Sequence, residues 1–264
     1  MLRLSEEIKN GCHWRDVYID SLQYLGLVGS LTVISTYSPA TFVGFVAIIF
    51  LTHPKASSSF ESQWLNWFEI AKLISALAGV VGILWVELFR SQDMNLFYFG
   101  FLLAVNIGEA VLSEVQMNGL KGVANAIVGL SLIVMLPWNH LPLQHEMSKM
   151  MFPLSPAWIL LYTLWNASFS YIQNYSHSTR VCLLVPIGVC LMMDGVGYWL
   201  TARTFSLVLN MALRVTQYTR LFTPGQSFLT KAKDDPPHST NLGSCMGLLN
   251  LGLLTCSAIV TYKP

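Results

Sequence analysis

The run from Leu22 to Thr52 contains no Asp, Glu, Lys, Arg or His. A soluble domain could hold so long an uncharged stretch only by burying nearly all of it. A bilayer-crossing helix needs about 20 mainly apolar residues, and backbone polar groups in lipid must be satisfied within the spanning element. Without the strict alternation of a barrel, that leaves helices. Six further apolar runs follow: Trp67 to Phe89, Leu96 to Leu112, Val123 to Leu136, Ala157 to Tyr171, Val181 to Leu200 and Gly243 to Tyr262. The pattern predicts an all-α polytopic membrane bundle of about seven transmembrane helices. Residues 1–21 form a cytosolic segment and residues 22–264 a single bundle domain. The first run is read as one tilted span or as two short ones broken near Pro39.

Composition points the same way. Of the 264 residues 53% are hydrophobic and 11% charged, against roughly 25% charged in a soluble domain, and the mean hydropathy is +0.52. The net charge of +1 is scattered, which leaves no basic footprint for nucleic acid. Cys12, Cys182, Cys190, Cys245 and Cys256 are odd in number and include no C-x-x-C, so neither a disulfide framework nor a zinc site is expected. Residues 1–21 lack the apolar core of a cleavable signal, and insertion is expected to rely on the first internal span. The endoplasmic reticulum is the default membrane if the chain is eukaryotic.

Basic residues bias loops toward the cytosol. With seven spans and the N-terminus inside, the inner loops hold Arg3, Lys9, Arg15, Arg90, Lys149, Arg203, Arg214, Arg220, Lys231 and Lys233. The outer loops hold Lys55, Lys121, Arg180 and Lys263. Phe205 to Phe222 reads as an interfacial amphipathic helix, and Leu229 to Asn241, with its Pro pair, as a mobile loop.

Ionisable groups at bilayer depth are costly and mark sites by default. Glu69 and Lys72 stand three residues apart and can neutralise each other on one helix face. Glu87 sits at a span end near Arg90 and reads as structural. Glu109, in VNIGEAV, has no basic residue within its own run; Asn106 and Ser113 share its face, which must look inward. Asp194, in MMDGVGYW, is the second isolated acid, flanked by Gly195 and Gly197, which let a ligand or helix approach closely. A polar stripe follows through Tyr162, Asn166, Phe169, Ser170 and Gln173, with Trp165 beside it. Gly26 to Ser30, GLVGS, reads as a helix-packing pattern.

A protonated carboxyl can open an epoxide or protonate an alkene. Aromatic faces stabilise a travelling cation, and a second carboxylate can take the final proton. Asp234-Asp235 is not a magnesium-binding D-D-x-x-D pair, and H-E-x-x-H, G-x-S-x-G and a di-iron His cluster are absent. An enzyme built from these residues works without metal or other cofactor.

With Glu109 and Asp194 isolated in separate apolar runs, the chain resembles the small integral-membrane terpene cyclases of fungal meroterpenoid pathways. That resemblance implies an acid-triggered cyclisation of a lipophilic prenylated, possibly epoxidised, substrate. NIGEAV followed by WNASFSY also looks like an uncharacterised family of bacterial multispan proteins, which implies no function. The cyclase expectation makes Glu109 the general acid and Asp194 the second acid or proton acceptor, in exchangeable roles. Asn106 then orients Glu109, Asn166 binds substrate, and Trp165, Phe169, Tyr198 and Trp199 stabilise cations. The expected partners are the lipophilic substrate and membrane lipid. A small proton-coupled carrier is the competing expectation, because midplane carboxyls relay protons in transporters. A structural subunit of a larger complex is the third.

Overall fold

The computed structural model describes residues 21–52, 67–89, 96–118, 120–138, 144–146, 149–152, 154–173, 175, 177–193, 195–215 and 245–255. Apart from one small hairpin, its regular structure is helical. Residues 21–37 form α1, and α2 (Pro39–Thr52), α3 (Trp67–Phe89), α4 (Leu96–Asn118) and α5 (Leu120–Val134) follow. The three-residue strands β1 (Gln144–Glu146) and β2 (Lys149–Met151) pair antiparallel with His145 opposite Met150. Next come α6 (Pro156–Ile172), the short α7 (His177–Val181), α8 (Val185–Met192) and α9 (Trp199–Val215). Residues 245–255 form α10.

The first run divides at Pro39. Proline lacks the N–H that would continue the helix, and it disfavours helical geometry at the residue before it. Ser38 is therefore non-helical, and its carbonyl accepts from both the amide and the hydroxyl of Thr41. On one straight helix residues 24 and 42 would lie about 27 Å apart. Their partners on α9 are only five residues apart: Tyr24 donates to Asn210 Oδ1 at 2.6 Å, and Phe42 stacks on Phe205 at 4.6 Å. The break lets both halves reach α9.

Among the described residues two helices are long and apolar enough to cross a membrane, over Ala71–Leu88 in α3 and Phe97–Gln116 in α4. Both carry apolar side chains on their outer faces: Ile74, Leu77, Val81, Trp85 and Leu88 on α3, and Phe97, Phe101, Leu112 and Val115 on α4. The remaining apolar helices are shorter. Several hydroxyls within the helices are satisfied locally, as when Thr32 donates to Val28 O, Thr163 to Ile159 O and Thr204 to Leu200 O, whereas the buried Ser35 Oγ has no partner among the described residues. Back-bonding to the preceding turn spares those threonines an unpaired donor.

The expected span Val181–Leu200 is not one helix. After α7 a tighter helical turn at Cys182–Leu184 continues into α8, so that residues 177–192 run on as one helical segment. The chain then turns through Met193 and Gly195, where Gly195 N donates to Cys190 O at 3.0 Å, and a second tight turn at Val196–Tyr198 leads into α9. Phe152 N donates to Gly197 O at 3.1 Å, tying the chain after the hairpin to this break. Arg203 lies inside α9 rather than in an inner loop, and the expected interfacial helix at Phe205 is the buried continuation of α9. The part of that segment beyond residue 215 lies outside the described residues, as do residues 1–20 and the 229–241 segment.

Adjacent helices pack in a chain of neighbours: α3 on α4, α4 on α5, α5 on α6, and α9 against α3, α2 and α8. Ser155 caps α6, its Oγ accepting from Trp158 N at 3.2 Å with Pro156 next in sequence. This Ser-Pro start is favourable because proline's missing donor falls where no helical acceptor exists. The last carbonyls of α5 have no partner within the helix. Two indoles supply donors, Trp158 Nε1 to Leu132 O at 3.1 Å and Trp138 Nε1 to Ile133 O at 3.0 Å. The GLVGS expectation is not met, because a Cβ at Gly26 or Gly29 would meet nothing within 4 Å. The close approach occurs instead at Gly129, where a Cβ would fall 2.6 Å from Val111 and 3.0 Å from the Trp165 ring.

Candidate functional site in the bundle interior

Three charged side chains from three helices approach one another inside the bundle. Lys72 of α3 donates to the Asn106 carbonyl of α4 at 3.2 Å. Its ammonium is attracted by Glu109 and repelled by Arg203 of α9. Ser75 Oγ, one turn beyond Lys72, accepts from Asn106 Nδ2 at 3.5 Å and has two acceptors for its one proton, Lys72 O at 3.1 Å and Glu109 Oε2 at 3.4 Å. Asn106 thus reaches Glu109 through Ser75 and not directly. The helical i, i+3 spacing puts Lys72 and Ser75 on one face of α3, as it does Asn106 and Glu109 on α4. The two faces meet because α3 packs on α4.

Arg203 is only 9% exposed. Its Nε donates to the Tyr162 hydroxyl at 3.4 Å and its Nη2 to Asn166 Oδ1 at 3.5 Å, while the guanidinium carbon lies 5.8 Å from the Tyr162 ring centre. Asn166 is held in turn by donation from its Nδ2 to Tyr162 O at 3.2 Å. Tyr162 and Asn166, four residues apart on α6, thereby form one seat for the guanidinium.

Two cavities flank Arg203. One, of about 60 Å³, is bordered by Lys72, Asn166, Ser170, Arg203 and Asn210 on its polar side and by Phe169 among the apolar groups. The other, of about 40 Å³, includes Ser75, Phe99, Asn106, Tyr162 and Arg203 in its wall. Lys72 thus borders the first cavity, Ser75 and Asn106 the second, and Arg203 both; Glu109 borders neither and joins this polar chamber only through Lys72 and Ser75.

Lys72 makes a contact across to α4, and the side chain of Glu69, its expected partner on its own helix, lies outside the described residues. Glu109 stands where the sequence predicts, half-buried and inward, and α3 supplies the cation missing from its own run. Asp194 lies outside the described residues. Of the remaining expected residues, Asn106, Asn166 and Phe169 border the cavities.

Trp165 and Trp199 belong instead to a packed aromatic cluster and border neither cavity. Tyr162 stacks on Trp158 at 5.2 Å and meets the edge of Trp199 at 4.9 Å, while Trp165 stacks on Phe169 at 6.3 Å. Trp165 Nε1 donates to Asn125 O at 2.9 Å. Tyr198 is half-buried at the break before α9. These rings fill space against one another, as large aromatic groups in a core ordinarily do.

Sequence reasoning missed Arg203, which it assigned to a loop. A signal was present: Arg203, Ser206 and Asn210 recur at i, i+3 and i+7 along one face of α9, and all three are buried. It also left Glu114 without a role. That carboxyl is fully buried; Asn125 Nδ2 donates to its Oε1 at 2.6 Å and to Trp165 O at 3.3 Å. Among the described residues, no group of three or more His, Cys, Asp or Glu side chains is placed to hold a metal ion.

The family model described as a family of unknown function, DUF5692, matches residues 30–263. No curated protein and no solved structure matches the chain.

Proposed function

The chain belongs to DUF5692, a family of unknown function, and from its own residues we propose a multi-pass membrane carrier whose Lys72–Glu109–Arg203 chamber binds a small polar solute. Glu109 carries the coupling proton in this reading. One observation carries it: three ionisable groups and several amides and hydroxyls from α3, α4, α6 and α9 converge on cavities inside an apolar bundle. Intramembrane ionisable residues face cavities and substrate paths far more often than they serve as packing devices. The outward apolar stripes of α3 and α4 support the membrane assignment. The broken stretch around α8 supports a carrier, since discontinuous helices beside a polar site recur in transporters. In a eukaryotic cell the endoplasmic reticulum is the default destination.

The test is solute-driven current and internal pH in liposomes containing the purified full chain, with amino acids, sugars, amines and carboxylates as the panel. A solute that drives proton movement, lost in Glu109→Gln and retained in Glu114→Gln, is the expected result. Flux indifferent to Glu109, or none across the panel, overturns the carrier.

A second reading keeps Glu109 as the proton donor of a metal-free terpene cyclase. The observation favouring it is that Phe99 and Tyr162 border the cavity that also touches Ser75 and Asn106, both linked to Glu109. Incubation with linear prenylated phenols and their terminal epoxides separates the two readings. An isomeric product of unchanged mass that vanishes in Glu109→Gln would make the protein a cyclase.

A further inference from the structure

We infer that the cavity between Lys72 and Arg203 is a binding site for a small monocarboxylate with a short apolar body. The inference rests on the chamber being a ligand site, as the carrier reading holds, and adds the chemical class of the ligand.

The first ground is charge order. Glu109 attracts Lys72, and Lys72 is repelled by Arg203. Among the described residues no carboxylate pairs with Arg203, whose hydrogen bonds go only to a phenol and an amide. Two cations facing one cavity repel more strongly in a low-dielectric interior than in water. An anion between them completes an alternating series of four charges from Glu109 to Arg203.

The second ground is donor geometry. A guanidinium has five N–H donors in a rigid planar fork, and Tyr162 and Asn166 engage one on Nε and one on Nη2. The rest suit a carboxylate, which accepts two parallel hydrogen bonds from such a fork. Asn166, anchored to Tyr162 O, holds the fork in place from α6.

Size and lining narrow the class. The cavity volume of about 60 Å³ corresponds to roughly four to six waters at about 10–15 Å³ each, and so to a ligand of similar heavy-atom count. Phe169, Leu183 and Met211 supply apolar surface in its wall. A bare inorganic anion would leave that surface unused, and a long acyl chain would exceed the space.

Isothermal titration of the full chain in detergent tests this with butyrate, its neutral isostere butyramide, inorganic phosphate and laurate. Saturable butyrate binding is expected, with butyramide and phosphate at least tenfold weaker. Arg203→Lys, which keeps the charge but loses the fork, is expected to weaken butyrate at least tenfold, and Arg203→Gln to abolish binding. If Arg203→Gln does not accumulate, Arg203→Lys decides the point. Absence of butyrate binding to the wild-type protein, equal binding of butyramide, unchanged affinity in Arg203→Lys, or binding of laurate or phosphate alone overturns the inference. Equilibrium binding needs no transport. Butyrate binding without flux would leave this inference standing and remove the carrier, whereas coupled flux of another solute without butyrate binding would do the reverse.

Discussion

Glu109 and Glu114 lie on the same helix, five residues apart, and meet opposite fates. Five residues rotate a side chain by about 140° around the helix axis, so Glu109 looks toward α3 and Glu114 toward α5. Glu109 meets a cation and a hydroxyl beside a polar chamber. Glu114 meets the Asn125 amide in a fully buried seam beside Trp165. Identical side chains on one apolar helix thus acquire different chemistry from the helix they face. The chamber has space for a ligand, while the seam is closed by close packing: a Cβ at Gly122 would fall 2.9 Å from Glu114 O, and one at Gly129 2.6 Å from Val111.

The sharpest way to break this contrast is to exchange the functional consequences of the two acids. Glu109→Gln should reduce solute-driven flux at least about 100-fold, the loss on removing an ionisable group that moves a proton being typically 10²–10⁴-fold. Glu114→Gln, which keeps the acceptor oxygen facing Asn125, should leave flux within about twofold, because Glu114 lies outside the proposed solute path. Flux lost in Glu114→Gln and kept in Glu109→Gln would reverse the two assignments.

A smaller effect is expected on stability, and there the seam is the sensitive region. Gly129→Ala should lower unfolding free energy by about 1–3 kcal/mol, the usual penalty of overpacking a filled interior, as read by thermal unfolding in detergent. Gly26→Ala, facing open space on α1, should cost nothing and gain a few tenths of a kcal/mol from helix propensity, at most about 1. Equal effects at the two glycines would show that the seam is not tightly closed.

The aromatic cluster offers a finer comparison. Trp165→Phe removes the indole donor to Asn125 O and should cost about 1 kcal/mol beyond the loss of ring size. Trp199 Nε1 is buried with no acceptor among the described residues, so Trp199→Phe should cost less than Trp165→Phe. Tyr24→Phe, which loses the bond to Asn210 Oδ1, should cost less again, about 0.6 kcal/mol, the average for interhelical polar contacts in bundles.

Much of the helix content was legible without coordinates. Trp67 to Phe89 was read with the limits the helix has, and Ala157 to Tyr171 lies within one residue of Pro156–Ile172 at both ends. Long apolar runs and Ser-Pro or Pro punctuation are local signals, and helix formation depends on them directly. The break between Val181 and Leu200 was not legible. Its residues are as apolar as those of a span, and hydropathy does not distinguish one long helix from two short ones joined by tight turns. Glu109 was legible as an inward-facing acid because nothing in its own run neutralises it. Its pairing with Lys72, the burial of Arg203 and the closure of the seam around Glu114 were not.

The sequence by itself determined an all-α chain of apolar segments with acids at known positions along them, since charge, length and proline placement act within one segment. Only the tertiary structure decided which acid faces a cation, which rings pack on one another and where space remains. Those properties depend on which helix lies opposite, and the neighbour is chosen by packing across the whole bundle rather than by any segment alone.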